Sequence, residues 1–213
     1  MKGYQPRPAN PNLPVRRGLN RDYRSREYLT PEEVAQLIQV AELRATRYPE
    51  RDKALLLLMF RHGLRATEAG RLRWDAVLLK ERRLVIHRLK GSESGQHPLQ
   101  QDEVDALQAL RSAHPGSQYL FMSERGQALS RAAIARIVRR CGEAAELPLP
   151  VHPHMLRHAC GYYLANQGLD TRLIQDWLGH RNIEHTVRYT KLNPKRFEEI
   201  QWSQVGCSGT ANL

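Results

Sequence analysis

The sequence has few cysteines and no long apolar run, and each shortage excludes a class of protein. Its three cysteines, Cys141, Cys160 and Cys207, are far apart and lack the spacing of a zinc site or a disulfide framework. The longest apolar run, ALLLLMF, is too short to cross a bilayer, and no signal-peptide pattern opens the chain. We therefore expect a reduced, cytoplasmic protein that has no membrane partner.

Acidic residues are also in short supply. The chain has 33 lysines and arginines against 22 aspartates and glutamates, a net charge of +11 among 213 residues. Such an excess favours a polyanionic partner, with nucleic acid ahead of a membrane surface. On charge alone, a basic protein that associates with ribosomes remains an alternative.

The basic residues are concentrated at the start of the chain. Residues 1–29 carry four prolines and seven basic residues against two acidic ones, with too little apolar content to build a core. We predict a flexible basic arm over 1–29, in which Arg16 and Arg17 contact DNA. A folded domain is expected over 30–202 and a loose tail over 203–213.

The rest of the chain alternates helical and strand-like patterns. Thr30 and Glu33 form a capping-box pattern around Pro31, and Gly63 follows a helix that is apolar nearly all round. In residues 76–99, β-branched residues are interrupted by KER and GSESG, which predicts a small three-stranded antiparallel sheet. The fold class expected is mainly α with this small sheet (α+β).

A long helix that Ser130 would cap has one apolar and one basic side. The basic side is a candidate surface for a DNA groove and carries Arg136, Arg139 and Arg140. A solvated basic face explains the same spacing.

The stretch VHPHMLRH at 151–158 combines three histidines with an arginine. A helix that begins at Pro153 would place His154, Arg157 and His158 on one face. Two histidines at this spacing can bind zinc, but the permanent cation between them repels a metal and no carboxylate flanks the run. A neutral imidazole beside a guanidinium suits a phosphate better.

Five short motifs occur in an order that resembles the tyrosine recombinases, also called lambda-integrase-type phosphotransferases. They are GLRATE at 63–68, HRLKG at 87–91, HPHMLRH at 152–158, LGH at 178–180 and HTVRYT at 185–190. The resemblance covers roughly residues 30–200 and is strongest to the small recombinases that invert promoter segments controlling bacterial fimbriae. It implies that the domain over 30–202 is a catalytic domain with the fold of that family.

The resemblance also implies roles for individual residues. Tyr189 would attack the scissile phosphate to form a 3′-phosphotyrosine, and His154 would accept its proton. Arg65 and Arg157 would grip the phosphate oxygens, and His180 would donate to them. Lys90 would act as the general acid, with Lys80, in another turn of the same sheet, as the alternative. Glu68 would orient Arg65. His152 and His158 are interpreted as structural or as supporting the phosphate-facing pair, His154 and Arg157, and no metal or other cofactor is implied.

The implied partner is double-stranded DNA with specific recombination sites. The enzyme would be monomeric or weakly associated when free and would form a homotetramer on synapsed DNA, in the bacterial cytoplasm and near the nucleoid. An apolar stripe at Phe197, Ile200 and Trp202 would then pack on a neighbouring protomer, or on its own core. Inversion, integration and excision share one active site. A type IB topoisomerase-like relaxing enzyme and an inactive DNA-binding regulator are the alternatives.

Overall fold

The computed structural model describes residues 26–43, 47–89 and 94–191. The mainly helical fold with a small sheet is observed, as predicted. Within these ranges the elements are α1 Pro31–Leu43, α2 Pro49–Arg61, α3 Ala66–Arg71, β1 Val77–Leu78, β2 Arg83–Ile86, β3 Gly95–Pro98, α4 Gln101–Ala113, α5 Arg131–Ala144, α6 Pro153–Asn166, α7 Thr171–Leu178 and α8 Glu184–Lys191.

The helix starts follow the capping signals of the sequence. The backbone N–H of Thr30 donates to the Glu33 carboxylate (2.8 Å), and the Thr30 hydroxyl accepts from the Glu33 N–H (3.3 Å), which closes the predicted capping box of α1. The Ser130 hydroxyl accepts from the Ala133 N–H at 3.1 Å and caps α5. Pro153 occupies the first turn of α6, as predicted.

Helix α2 is the central helix of the fold. Its residues Ala54 to Met59 are all buried, as the apolar run predicted, and it packs against α1, α4 and α6. The chain leaves α2 through Gly63, whose φ of +57° lies in the left-handed region. This turn directs the chain from the core towards α3.

The three strands form an antiparallel meander in the order β1-β2-β3, as predicted. The β1–β2 turn and the β2–β3 connection therefore lie at opposite ends of β2, about 13 Å apart at roughly 3.3 Å per residue. Lys80 is exposed in the first of these connections.

Helices α6, α7 and α8 enclose a second, smaller apolar cluster of Cys160, Ala165, Ile174, Leu178 and Tyr189. Leu29, at the predicted end of the arm, is buried in the main core. Among the described residues, no helix combines the length and the apolar character that a membrane span requires.

Candidate active site

The connection between α2 and α3 is the structural centre of the site. A Cβ at Gly63 would lie 2.4 Å from Cδ2 of Leu178, so the backbone here is pressed against the end of α7. The Gly63 carbonyl accepts hydrogen bonds from two guanidinium groups, those of Arg157 and Arg88. Only glycine combines the left-handed φ with this close approach.

Arg65 follows this connection and is held by Glu68. Its guanidinium donates to Oε1 of Glu68 at 2.6 Å, and its backbone N–H donates to Oε2 at 2.9 Å. Burial by itself would raise the pKa of Glu68, but the Arg65 N–H and the charges of Arg88 and Arg65 lower it. Glu68 is thus an ionised, buried carboxylate that orients Arg65.

Arg157 is the most deeply buried of the predicted phosphate-binding residues. Its guanidinium donates to the carbonyls of Gly63 and Leu178, the latter at 2.7 Å. Burial, with the charges of Arg65 and Arg88, lowers the pKa of Arg157 to about 10, so it stays protonated at neutral pH. The two bonds use two of its five N–H donors and fix the plane of the group.

His180 lies just beyond α7 and stacks on the ring of Tyr189, with ring centroids 6.3 Å apart and planes inclined by 17°. Its Nδ1 is 2.9 Å from the hydroxyl of Thr186, which is fully buried. Burial and the charges of Arg157 and Arg65 lower the pKa of His180 to about 3, so the ring is neutral at physiological pH.

Tyr189 is enclosed on α8, with 2% of its surface exposed. Its hydroxyl is 2.9 Å from Nδ1 of His158, and its ring packs edge-on against Tyr162, with centroids 5.0 Å apart. The ring is also tightly packed against α6, because a Cβ on Gly161 would lie 2.7 Å from two ring carbons. Burial raises the pKa of the Tyr189 phenol to about 12.

The two histidines of α6 differ in environment. His158 is half-buried, and burial together with the charges of Arg188 and His154 lowers its pKa to about 4. His154 is exposed one turn earlier, with its ring centroid 5.7 Å from that of His158. Burial of part of the ring and the charges of Arg157 and Arg65 lower the pKa of His154. His154 therefore faces the cationic side of the site.

A third arginine, Arg88, completes the cluster. Its side chain is buried and donates to Oε2 of Glu68 at 2.9 Å and to the carbonyls of His62 and Trp177 at 2.8 and 2.7 Å. Burial lowers the pKa of Arg88 from its ordinary value, and the negative charge of Glu68 partly offsets this effect.

The structure thus brings Arg65, Glu68, Arg157, His180 and Tyr189 into one connected cluster, with His154 on its exposed side. Several other predicted residues are not in it. Arg136, Arg139 and Arg140 lie on α5 outside the cluster, where Arg139 is 3.5 Å from Glu143. The predicted residues that lie outside the described residues are Arg16, Arg17, Lys90, Phe197, Ile200 and Trp202.

Sequence reasoning missed two members of the cluster and left the role of a third open. Arg88 and Thr186 lie inside the HRLKG and HTVRYT motifs, so the motifs signalled them without indicating a role. His158 was interpreted as structural or as supporting the phosphate-facing residues, and its Nδ1 lies 2.9 Å from the Tyr189 hydroxyl. Within the described ranges, no group of three histidine, cysteine or carboxylate side chains is arranged to hold a metal.

The chain matches the model of the phage integrase family over residues 27–196. It is 46% identical over 189 residues to the type 1 fimbriae regulatory protein FimB of Escherichia coli (strain K12), covering 86% of this chain and 93% of that protein. The crystal structure of XerA recombinase superposes with a TM-score of 0.69 at 28% identity, covering 84% of this chain and 65% of XerA.

A second solved structure shows a relative on DNA. XerH site-specific recombinase bound to a palindromic difH substrate, in a post-cleavage complex, superposes with a TM-score of 0.69 at 25% identity. The match covers 81% of this chain and 51% of XerH. With the family match over most of its length and the cluster around Tyr189, the chain belongs to the phage integrase family and is a tyrosine-type site-specific DNA recombinase.

Proposed function

We propose that this enzyme cuts and rejoins double-stranded DNA at specific sites through a covalent 3′-phosphotyrosine on Tyr189. The observation that supports this most directly is the convergence of Arg65, Arg157 and His180 beside the buried phenol. The three arginines of the cluster, Arg65, Arg88 and Arg157, are balanced by one carboxylate within it, Glu68, which leaves an anion-binding site. A phosphodiester is the anion that such a site and a tyrosine nucleophile suit.

In the proposed cleavage step, the Tyr189 oxygen attacks the scissile phosphorus while the bond to the 5′-oxygen breaks. Arg65 and Arg157 bind the non-bridging oxygens, where negative charge accumulates in the transition state. His180 donates a third hydrogen bond. With the Thr186 hydroxyl as donor to Nδ1, the remaining proton of the neutral imidazole lies on Nε2, which is then the atom that donates to the phosphate.

The step needs two proton transfers, one from the phenol and one to the departing 5′-oxygen. The phenol loses its proton to His154, which is neutral and on the exposed side where a phosphate can lie. His158 holds the same hydroxyl in the enclosed position described above and acts as a positioning residue. Religation reverses the step, so His154 then returns the proton to Tyr189.

Lys90 is proposed to protonate the departing 5′-oxygen. It follows Arg88 by two residues, and Arg88 is fixed against Glu68 at the site. Lys80 lies in the connection at the opposite end of β2, which argues against it as the general acid.

The proposed partner is duplex DNA with defined sites, contacted by the α5 arginines and by Arg16 and Arg17. Each chain supplies one nucleophile and recombination cuts four strands, so we propose a homotetramer on two synapsed sites. Inversion, integration and excision would all use this active site and differ in how the two DNA sites are arranged.

The test is covalent trapping on a nicked suicide duplex. The site on this duplex is first identified by selecting the genomic DNA fragments that the Tyr189→Phe protein binds. Wild-type protein should form an SDS-resistant adduct, and Tyr189→Phe should bind the same duplex with unchanged affinity and form none. An adduct in Tyr189→Phe would refute the assignment. Relaxation of plasmids without a site would instead support a topoisomerase-like enzyme.

A further inference from the structure

Arg88 lies beneath the two arginines that are proposed to bind phosphate. Its side chain is 1% exposed, so it cannot reach a DNA backbone at the surface. It nevertheless donates to four acceptors that come from three different parts of the chain: the carboxylate of Glu68 and the carbonyls of His62, Gly63 and Trp177. A planar guanidinium with five donors can make such a set of bonds, whereas an ammonium group cannot match its geometry.

Two of these acceptors are shared with the phosphate-binding arginines. Glu68 accepts from Arg88 through Oε2 and from the Arg65 guanidinium through Oε1. The Gly63 carbonyl accepts from both Arg88 and Arg157. The position of each phosphate-binding guanidinium therefore depends on an acceptor that Arg88 also holds.

The third connection is at the end of α7. Arg88 donates to the carbonyl of Trp177, and Arg157 donates to the next carbonyl, that of Leu178. The last carbonyls of a helix lack intrahelical partners and carry partial negative charge, so two guanidinium groups are favoured there. The segment that leaves this helix end begins with Gly179 and His180.

We infer that Arg88 is a positioning residue of the cleavage reaction, which acts on Arg65 through Glu68 and on Arg157 through the Gly63 carbonyl. This inference rests on the proposed function. Its consequence is specific: loss of Arg88 should weaken the stabilisation of negative charge on the phosphate, while the DNA-binding surface stays intact. A side chain that only supports the core would slow cleavage of every substrate equally.

The experiment compares Arg88→Lys with wild type on two suicide duplexes, one with a normal scissile phosphate and one with a methylphosphonate there. The methyl group replaces a non-bridging oxygen and removes the charge that the arginines neutralise. Because a misplacement of about 1 Å can cost roughly 100-fold in rate, we expect about that loss on the phosphodiester. On the methylphosphonate the loss should shrink to less than about 10-fold, at unchanged DNA affinity.

Arg51→Lys is the matched control. Arg51 is also a buried arginine, and its partners are likewise a carboxylate, that of Asp52, and a carbonyl, that of Met122. It lies near the start of α2, about 16 Å along the helix axis from His62, whose carbonyl Arg88 binds. This variant should lower the melting temperature and leave the ratio of the two cleavage rates unchanged. If Arg88→Lys is too unstable to assay, Arg88→Gln is measured on the same two substrates with the same criterion.

Normal cleavage by the Arg88 variant, or an equal loss on both substrates, would overturn the inference. These outcomes are distinct from failure of the proposed function. In that case the wild-type protein itself forms no adduct with the phosphodiester, or Tyr189→Phe forms one.

Discussion

Gly161→Ala tests how tightly the nucleophile is enclosed. A Cβ at this position would lie 2.7 Å from Cε2 and Cζ of Tyr189 and 2.8 Å from Cδ2. Carbon atoms in ordinary contact are about 3.5–4.0 Å apart, so the ring or α6 must move by about 1 Å. Overpacking of this kind costs about 1–3 kcal/mol.

The same substitution has an opposing effect on helix α6. Alanine is favoured over glycine inside a helix by about 1 kcal/mol. Gly161→Ala should therefore destabilise the wild-type protein by a net ~0–2 kcal/mol. In a Tyr189→Ala background the steric conflict is gone, and the substitution should stabilise by about 1 kcal/mol. Tyr189→Phe keeps the ring and should behave as wild type does.

The assay is a double-mutant cycle of urea unfolding on DNA-free protein, with free energies taken by linear extrapolation. The coupling between positions 161 and 189 should be about 1–3 kcal/mol, with the substitution stabilising only in the Tyr189→Ala background. Gly95→Ala is the control glycine, since its Cβ would make no contact closer than 3.9 Å. A coupling below about 0.5 kcal/mol would mean that the ring does not pack on Gly161 as described.

Three further predictions follow from charge. Burial lowers the pKa of three histidines, His97, His158 and His180, to about 3, 4 and 3. Unfolded histidine takes up a proton below about pH 6.5, so the unfolded state binds more protons than the folded state between pH 6.5 and 4. The free energy of unfolding should therefore fall as the pH drops through this range. Urea unfolding at pH 7 and pH 5 measures this, and a higher midpoint at pH 5 would contradict it. The arginines of α5 that are proposed to contact DNA are Arg136, Arg139 and Arg140. Replacing them with alanine should flatten the plot of log affinity against log salt by about 0.9 for each phosphate that is no longer neutralised. An unchanged slope would indicate a solvated face. Adduct formation should persist in EDTA because arginines supply the charge stabilisation, and loss of activity that Mg²⁺ or Zn²⁺ restores would favour a metal at His154 and His158.

Local signals in the sequence determined most of the architecture. Helix starts are marked by Thr30 with Glu33 and by Ser130, because their side chains accept hydrogen bonds from free backbone N–H groups of the first turn. Pro153 marks another start because proline has no N–H group that would need a partner there. The buried run of α2 and the alternating residues of the sheet likewise depend on neighbours close in the chain. The order of the five motifs indicated the family and, by resemblance, the nucleophile.

The tertiary structure alone decided which side chains hold the reactive ones. Arg88 and Trp177 are 89 residues apart, and His158 and Tyr189 are 31 apart, so no periodic pattern relates them. The same motif that indicated His154 also contains His158. Their different environments arise because α6 turns one imidazole towards α8 and leaves the other exposed. A buried polar side chain takes its role from acceptors that distant segments bring to it, and only packing of those segments specifies them.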